Sequence, residues 1–236
     1  MRKLLLGLIL LTVGCTTKDP SPAAVAVFTP SRSVIETNEA VSFANTSQNA
    51  ARYEWNFGNG QTSTSPTPSA TYSTVGTYTV TLTAYNGDDK SVTTTQKVKV
   101  GKRYIRRITL TAIDPLDAGG TLWDRDGTGP DISLGYRTPA LRTTNFVPVD
   151  DLRPQNLPFT WGFSPQDEEL TQGTWTFQLR DFDFSAPAEY VAMYSWSMPI
   201  GPPPSNRDAI GNGSYTLTGP ATNPGLWNLV IEFETK

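Results

Sequence analysis

Short runs in which apolar and polar residues alternate, separated by glycine, proline, serine and asparagine, recur along most of this 236-residue chain. Thr77-Tyr78-Thr79-Val80-Thr81-Leu82-Thr83-Ala84-Tyr85 alternates without a break, and Val92 to Val100 does so again. Successive side chains of a strand point to opposite faces, so such a run lays one face on a core and the other in water. Val25 to Phe28, Ala40 to Phe43 and Tyr53 to Phe57 give three further strands in the first half. The second half gives Ile105 to Ile113, Ile132 to Tyr136, Phe159 to Phe163, Trp175 to Phe182, Tyr190 to Met198, Ser214 to Thr218 and Leu226 to Phe233. Arg142 to Val149 adds an eighth. No long stretch has the 3.6-residue apolar period of an amphipathic helix. The pattern predicts an all-β chain of two antiparallel β-sandwiches in tandem, the first over residues 24–100 and an eight-stranded one over 104–236. Gly101-Lys102-Arg103 leaves almost no slack between them and predicts a restricted relative orientation.

The N-terminus breaks this pattern. Arg2 and Lys3 precede a continuous apolar stretch, Leu4 to Val13, followed by Gly14 and Cys15, the only cysteine of the chain. A bilayer-spanning helix needs about 20 apolar residues, so residues 1–14 read as a secretory signal peptide. Leu11-Thr12-Val13-Gly14-Cys15 resembles the bacterial lipobox, with Thr12 where that family usually has leucine. The resemblance implies that Cys15 is diacylated and becomes the mature N-terminus, tying the protein to a membrane through its lipid. Residues 15–23, polar and containing two prolines after the cysteine, form an extended tether in this reading. Lys18-Asp19 looks like the charged tags of some Gram-negative lipoproteins, and a solvated linker explains the same two residues. The expected location is the cell envelope, on the outer membrane of a Gram-negative bacterium, with the face left open.

Composition removes several classes of chemistry. There is no histidine, so Ser-His-Asp and Cys-His nucleophile systems cannot be built and zinc loses its usual nitrogen ligand. One cysteine allows no disulfide within the chain, which leaves stabilisation to hydrophobic cores. The net charge is -3, and no basic run or heptad supports nucleic-acid binding. Paired carboxylates, lysine and carboxylate-bound metal are the chemistry that remains.

Two groups of residues carry more specific information. Tyr53-Glu54-Trp55-Asn56-Phe57-Gly58-Asn59-Gly60, then Pro68, Tyr72, Gly76-Thr77-Tyr78-Thr79-Val80-Thr81-Leu82 and Asn86, resembles a polycystic-kidney-disease (PKD) domain, an immunoglobulin-like sandwich. Asn59 stands where that family usually has aspartate. Trp55 and Phe57, two apart on one strand, are expected in the core, and Gly58-Asn59-Gly60 in a turn with positive φ. The resemblance implies a spacing or presenting module, seldom a catalytic one.

Acidic residues gather at two joints of the second half, Asp114 to Asp131 and Asp181 to Glu189. Carboxylates converging on one end of a sandwich repel each other unless a cation neutralises them, and oxygen ligands on loops suit calcium. The arrangement resembles a C2-type calcium- and phospholipid-binding domain. That resemblance implies Asp124, Asp126, Asp131, Asp181, Asp183 and Glu189 as metal ligands, with Trp123, Arg125 and Phe184 at loop tips. Asp114 and Asp117 read as turn formers, and aspartate-glycine turns without metal explain part of the same pattern. Trp161, Trp175, Trp196 and Trp227 serve equally as core residues or sugar platforms. Pro199 to Pro204 with Ser205-Asn206-Arg207-Asp208 reads as a rigid surface loop.

The leading expectation is a non-catalytic envelope lipoprotein presenting a calcium-binding module to a surface glycan, a phospholipid or a protein. A carboxylate-dependent glycan-active enzyme and a ligand-free spacer are the alternatives.

Overall fold

The structure is a computed structural model. It describes residues 19–114, 130–146, 148–163, 168–183, 189–202, 204, 206–219 and 227–236. The first half contains β1 (Phe28–Pro30), β2 (Val34–Glu36), β3 (Ala40–Asn45), β4 (Arg52–Asn56), β5 (Thr62–Ser63), β6 (Ser69–Thr71), β7 (Gly76–Tyr85) and β8 (Ser91–Gly101). They form a three-stranded sheet, β1-β3-β6, against a five-stranded sheet, β2-β8-β7-β4-β5. The pairs are antiparallel with one departure from the sequence expectation: β2 runs parallel to β8. Residues 31–33 carry the chain from one sheet to the other between β1 and β2, and Ile35, fully buried, holds the crossing against the core.

Alternation does in this sandwich what the sequence predicts. On β7 Val80, Leu82 and Ala84 are fully buried while the intervening threonines face outward. Trp55 and Phe57 lie on the same side and stack at 16° between ring planes, packed with Phe28 and Phe43. Each such ring contributes on the order of 1.5–3 kcal/mol by leaving water. Tyr72 closes the cluster and donates its hydroxyl to the Phe57 carbonyl oxygen at 3.1 Å. The turn after Phe57 needs glycine: Gly58 has φ +77°, and a Cβ there would meet the Thr79 carbonyl oxygen at 2.7 Å.

The second half contains β9 (Arg103–Ala112), β10 (Ile132–Arg137), β11 (Thr143–Asn145), β12 (Phe159–Gly162), β13 (Gly173–Asp183), β14 (Glu189–Ile200), β15 (Gly213–Thr218) and β16 (Asn228–Thr235). Among the described residues these are the eight strands that the sequence predicts. They make two four-stranded sheets, β11-β10-β13-β14 and β12-β9-β16-β15. Between them lies a separate core that includes Tyr136, Trp161, Trp175, Phe177, Trp227 and Phe233. The only helical element among the described residues is the 3-10 turn Pro154–Asn156.

The two sandwiches are joined by more than a linker. β8 ends at Gly101 and β9 starts at Arg103, while the Lys102 and Lys236 amides each donate to the other's carbonyl at 2.9 Å. The β9–β16 ladder therefore continues up to the junction. A Cβ at Gly101 would meet the Lys236 carbonyl oxygen at 2.6 Å, so close backbone approach requires this glycine. Opposed charges lie inside the seam. Arg103 places Nε 2.9 Å and Nη2 3.0 Å from the two carboxylate oxygens of Glu36, and also donates to the Tyr215 hydroxyl. Arg207 reaches Glu36 at 3.3 Å and donates to Glu39. Both arginines are buried; Asn206 and Asp208 on either side of Arg207 are exposed, as a surface loop requires, so Arg207 alone turns inward. The Glu36 and Glu39 carboxylates draw Arg207 in, and the loop is pinned further by Arg32 bonded to the Arg207 and Asp208 carbonyls at 2.7 and 2.9 Å.

The opposite end of the first sandwich holds the incoming chain. Ser21 donates its amide to Asp88 at 2.6 Å. Asn86 donates to the Ser21 and Pro22 carbonyls, and Asn49 to that of Ala23 at 3.1 Å. Composition assigns Ser21 to Ala23 to the tether, yet these residues are fastened to the sandwich.

Candidate functional site

β10 and β13 bring two of the candidate acids together. Ile132 pairs with Asp181 in the ladder, so Asp131 enters the sheet beside it. The Asp131 amide donates to Asp181 Oδ1 at 3.0 Å, and the Phe182 amide donates to the Asp131 carbonyl at 3.0 Å. Asp131 Oδ1 in turn accepts the Asp151 amide at 2.9 Å. Asp181 is only 2% exposed. A buried carboxylate needs partners that favour its charged form, and a backbone N–H is one.

Register adds the other two. Asp183 sits two residues beyond Asp181 on β13 and directly across from Glu189, the first residue of β14. The backbone thus carries positions 131, 181, 183 and 189 to one end of one sheet. The side chains of Asp183 and Glu189 lie outside the described residues, as do Cys15, Trp123, Asp124, Arg125, Asp126 and Phe184. Among the described residues no group of three or more metal-ligating side chains is close enough to hold an ion. The donor set that is visible consists of carboxylate oxygens, the type that hard divalent cations accept and soft metals do not.

The aromatic candidates divide differently. Trp161, Trp175 and Trp227 are buried at 6%, 0% and 6% exposure, and all belong to the core. None of these three is a sugar platform. The side chain of Trp196 is outside the described residues. Burial also sets two tyrosines apart: Tyr136, which donates to Glu168 at 3.0 Å, and Tyr72 are both pushed up to about 12 by loss of solvent.

Sequence reasoning missed the seam itself. Glu36 follows Val34-Ile35 on a three-residue strand and Arg207 lies in a proline-flanked polar stretch. Neither segment has a period from which burial could be read.

The aromatic cluster and the glycine turn are built from the residues of the motif read in the sequence, and the PKD domain family model matches residues 26–100. Residues 26–100 carry a PKD domain. The pre-pro-metalloprotease PrtV of Vibrio cholerae is 46% identical over 52 residues, which is 22% of this chain and 6% of that protein. The chain therefore spans a small part of the length of that curated relative. Among solved structures, the PKD1 domain of Vibrio anguillarum Epp is 34% identical, covering 34% of this chain and 96% of that one at a TM-score of 0.30. The PKD1 domain of the Vibrio cholerae metalloprotease PrtV is 38% identical, covering 34% and 98% at a TM-score of 0.30. A broader likeness, 15% identical over 92% of each chain at a TM-score of 0.33, is to a structure of carbohydrate-binding modules from the β-sandwich superfamily. At that identity and score it carries no statement about a ligand.

Proposed function

We propose that this chain is a non-catalytic cell-envelope lipoprotein whose PKD domain holds the eight-stranded sandwich in one orientation for surface binding, adhesion or assembly. The observation that supports this reading most is the seam: a continuous backbone ladder and buried opposed charges make the pair stiff. A presenting module works only if its spacer transmits position, and flexible linkers do not. Cys15 is the proposed lipid-attachment residue, and the outer membrane of a Gram-negative bacterium the proposed location. With its own leader the wild-type chain is expected in the membrane fraction and Cys15→Ser in the soluble fraction. A soluble wild type would remove the anchor from this account.

The acidic end of the second sandwich is the proposed calcium site, in the manner of a C2-like domain. Support comes from the Asp131–Asp181 contact and from the register of Asp183 with Glu189. Asp124, Asp126, Asp131, Asp181, Asp183 and Glu189 would supply oxygen ligands, and the ion would neutralise their crowding. Calorimetric titration of calcium chloride into the mature chain tests this. Asp181→Asn keeps an acceptor for the Asp131 amide while removing a charge, so affinity is expected to fall about tenfold or more. No heat and no rise in melting temperature would leave the sandwich without its ion.

A further inference from the structure

A cleft of about 530 Å³ opens at the seam, within the size range of small-ligand sites (about 300–1,000 Å³). Phe163 and Ile210 give it apolar wall, and Asn212, whose Nδ2 donates to Asp208 at 3.0 Å, offers its amide oxygen. Three cations reach it: Lys99 from the PKD domain, and Arg106 and Lys236 from the second sandwich. Lys236 is engaged, with Glu234 at 3.0 Å and the Tyr104 ring at 4.9 Å. Lys99 and Arg106 have no ion-pair partner among the described residues. Glu234 is the one acidic side chain of the lining among the described residues, and Glu232, on the same face of β16, feels the Arg106 charge from outside it. A chain of net charge -3 thus concentrates positive charge in one concavity, where low-dielectric walls focus the field on an entering anion. Ile210 is 61% exposed there although its loop is tied down on both sides, so the apolar surface is displayed on a fixed frame.

We infer that this cleft binds an anionic carbohydrate, a run of sugar rings bearing carboxylates such as uronates. Lys99 and Arg106 take the carboxylates through charge-assisted hydrogen bonds. Phe163 and Ile210 meet the apolar face of a ring, and the Asn212 amide oxygen accepts from a hydroxyl. A phosphate headgroup would use only the cations, whereas a carboxylated sugar uses all three kinds of wall. The inference rests on the binding-module reading above and names its ligand class.

The test uses the mature chain with Cys15→Ser, titrated with trigalacturonate in parallel with maltotriose and with vesicles of phosphatidylglycerol and phosphatidylcholine. Trigalacturonate is expected to bind, to weaken as salt rises, and to lose about tenfold or more in Lys99→Gln and Arg106→Gln. Both variants should melt with the parent. Absence of trigalacturonate binding, or equal binding by both variants, overturns the inference. So does charge-dependent binding of the vesicles with trigalacturonate ignored. Trigalacturonate binding that fails while membrane anchoring and the calcium response persist would sink this cleft alone, not the function proposed above.

Discussion

Glu36 is the residue on which the seam turns, because two guanidinium groups, those of Arg103 and Arg207, converge on its carboxylate. The arginine side chains are 1% and 0% exposed, and Arg207 Nε is buried without a hydrogen-bond partner among the described residues. Such a network is costly to desolvate, and removing one member strands the rest. Glu36→Gln is therefore expected to lower stability by about 3 kcal/mol or more in urea unfolding, with little relief from added salt because the pairs are shielded. A loss below 1 kcal/mol would mean that water already enters the seam. Single residues were legible in the sequence where a neighbour fixed their side of a strand, as for Trp55 and Phe57. Glu36 and Arg207 were not, since their burial depends on a partner about 170 positions away in the chain.

At the level of elements, long strands announce themselves and short ones do not. β7, β8, β9, β13, β14 and β16 are long enough to be read from their pattern, whereas β2, β5 and β6 have two or three residues each, too few to display a period. The candidate acids show a similar limit. Spacing brought Asp181 and Asp183 onto one strand and register set Glu189 opposite, but the hydrogen bond from Asp131 to Asp181 needs the pairing of β10 with β13. Ser21 to Ala23 read as tether because their composition is that of a linker, while most of their hydrogen bonds run through backbone groups that composition does not record. Asp88→Ala removes the acceptor of the Ser21 amide and leaves the Asn86 turn in place. Hydrogen exchange at Ser21 is expected to quicken about tenfold or more with the melting temperature nearly unchanged. Unaltered exchange would show that Asn86 and Asn49 hold the segment without it.

Over the whole molecule, the two cores carry matching alkaline liabilities. Tyr72 in the first and Tyr136 in the second are raised by burial to about 12, above the ordinary value near 10. A raised value means that the protonated form belongs to the fold: the stability is fully present below about pH 10 and is lost as pH climbs towards 12. Melting temperature is expected to hold to about pH 9.5 and then fall, less steeply in Tyr72→Phe or Tyr136→Phe. Because the seam couples the cores, calorimetry should record one transition throughout; two resolved transitions would mean that the sandwiches come apart first. The direction of β8 has a consequence for reach. It starts beside the loop that grips Ser21 and Pro22 and, eleven residues long, ends at the second sandwich. At about 3.3 Å per residue it is a measuring rod of roughly 33–36 Å. Adding two residues to β8 and two to its partner β7 would move everything beyond the rod outward by about 7 Å and leave both ends unchanged.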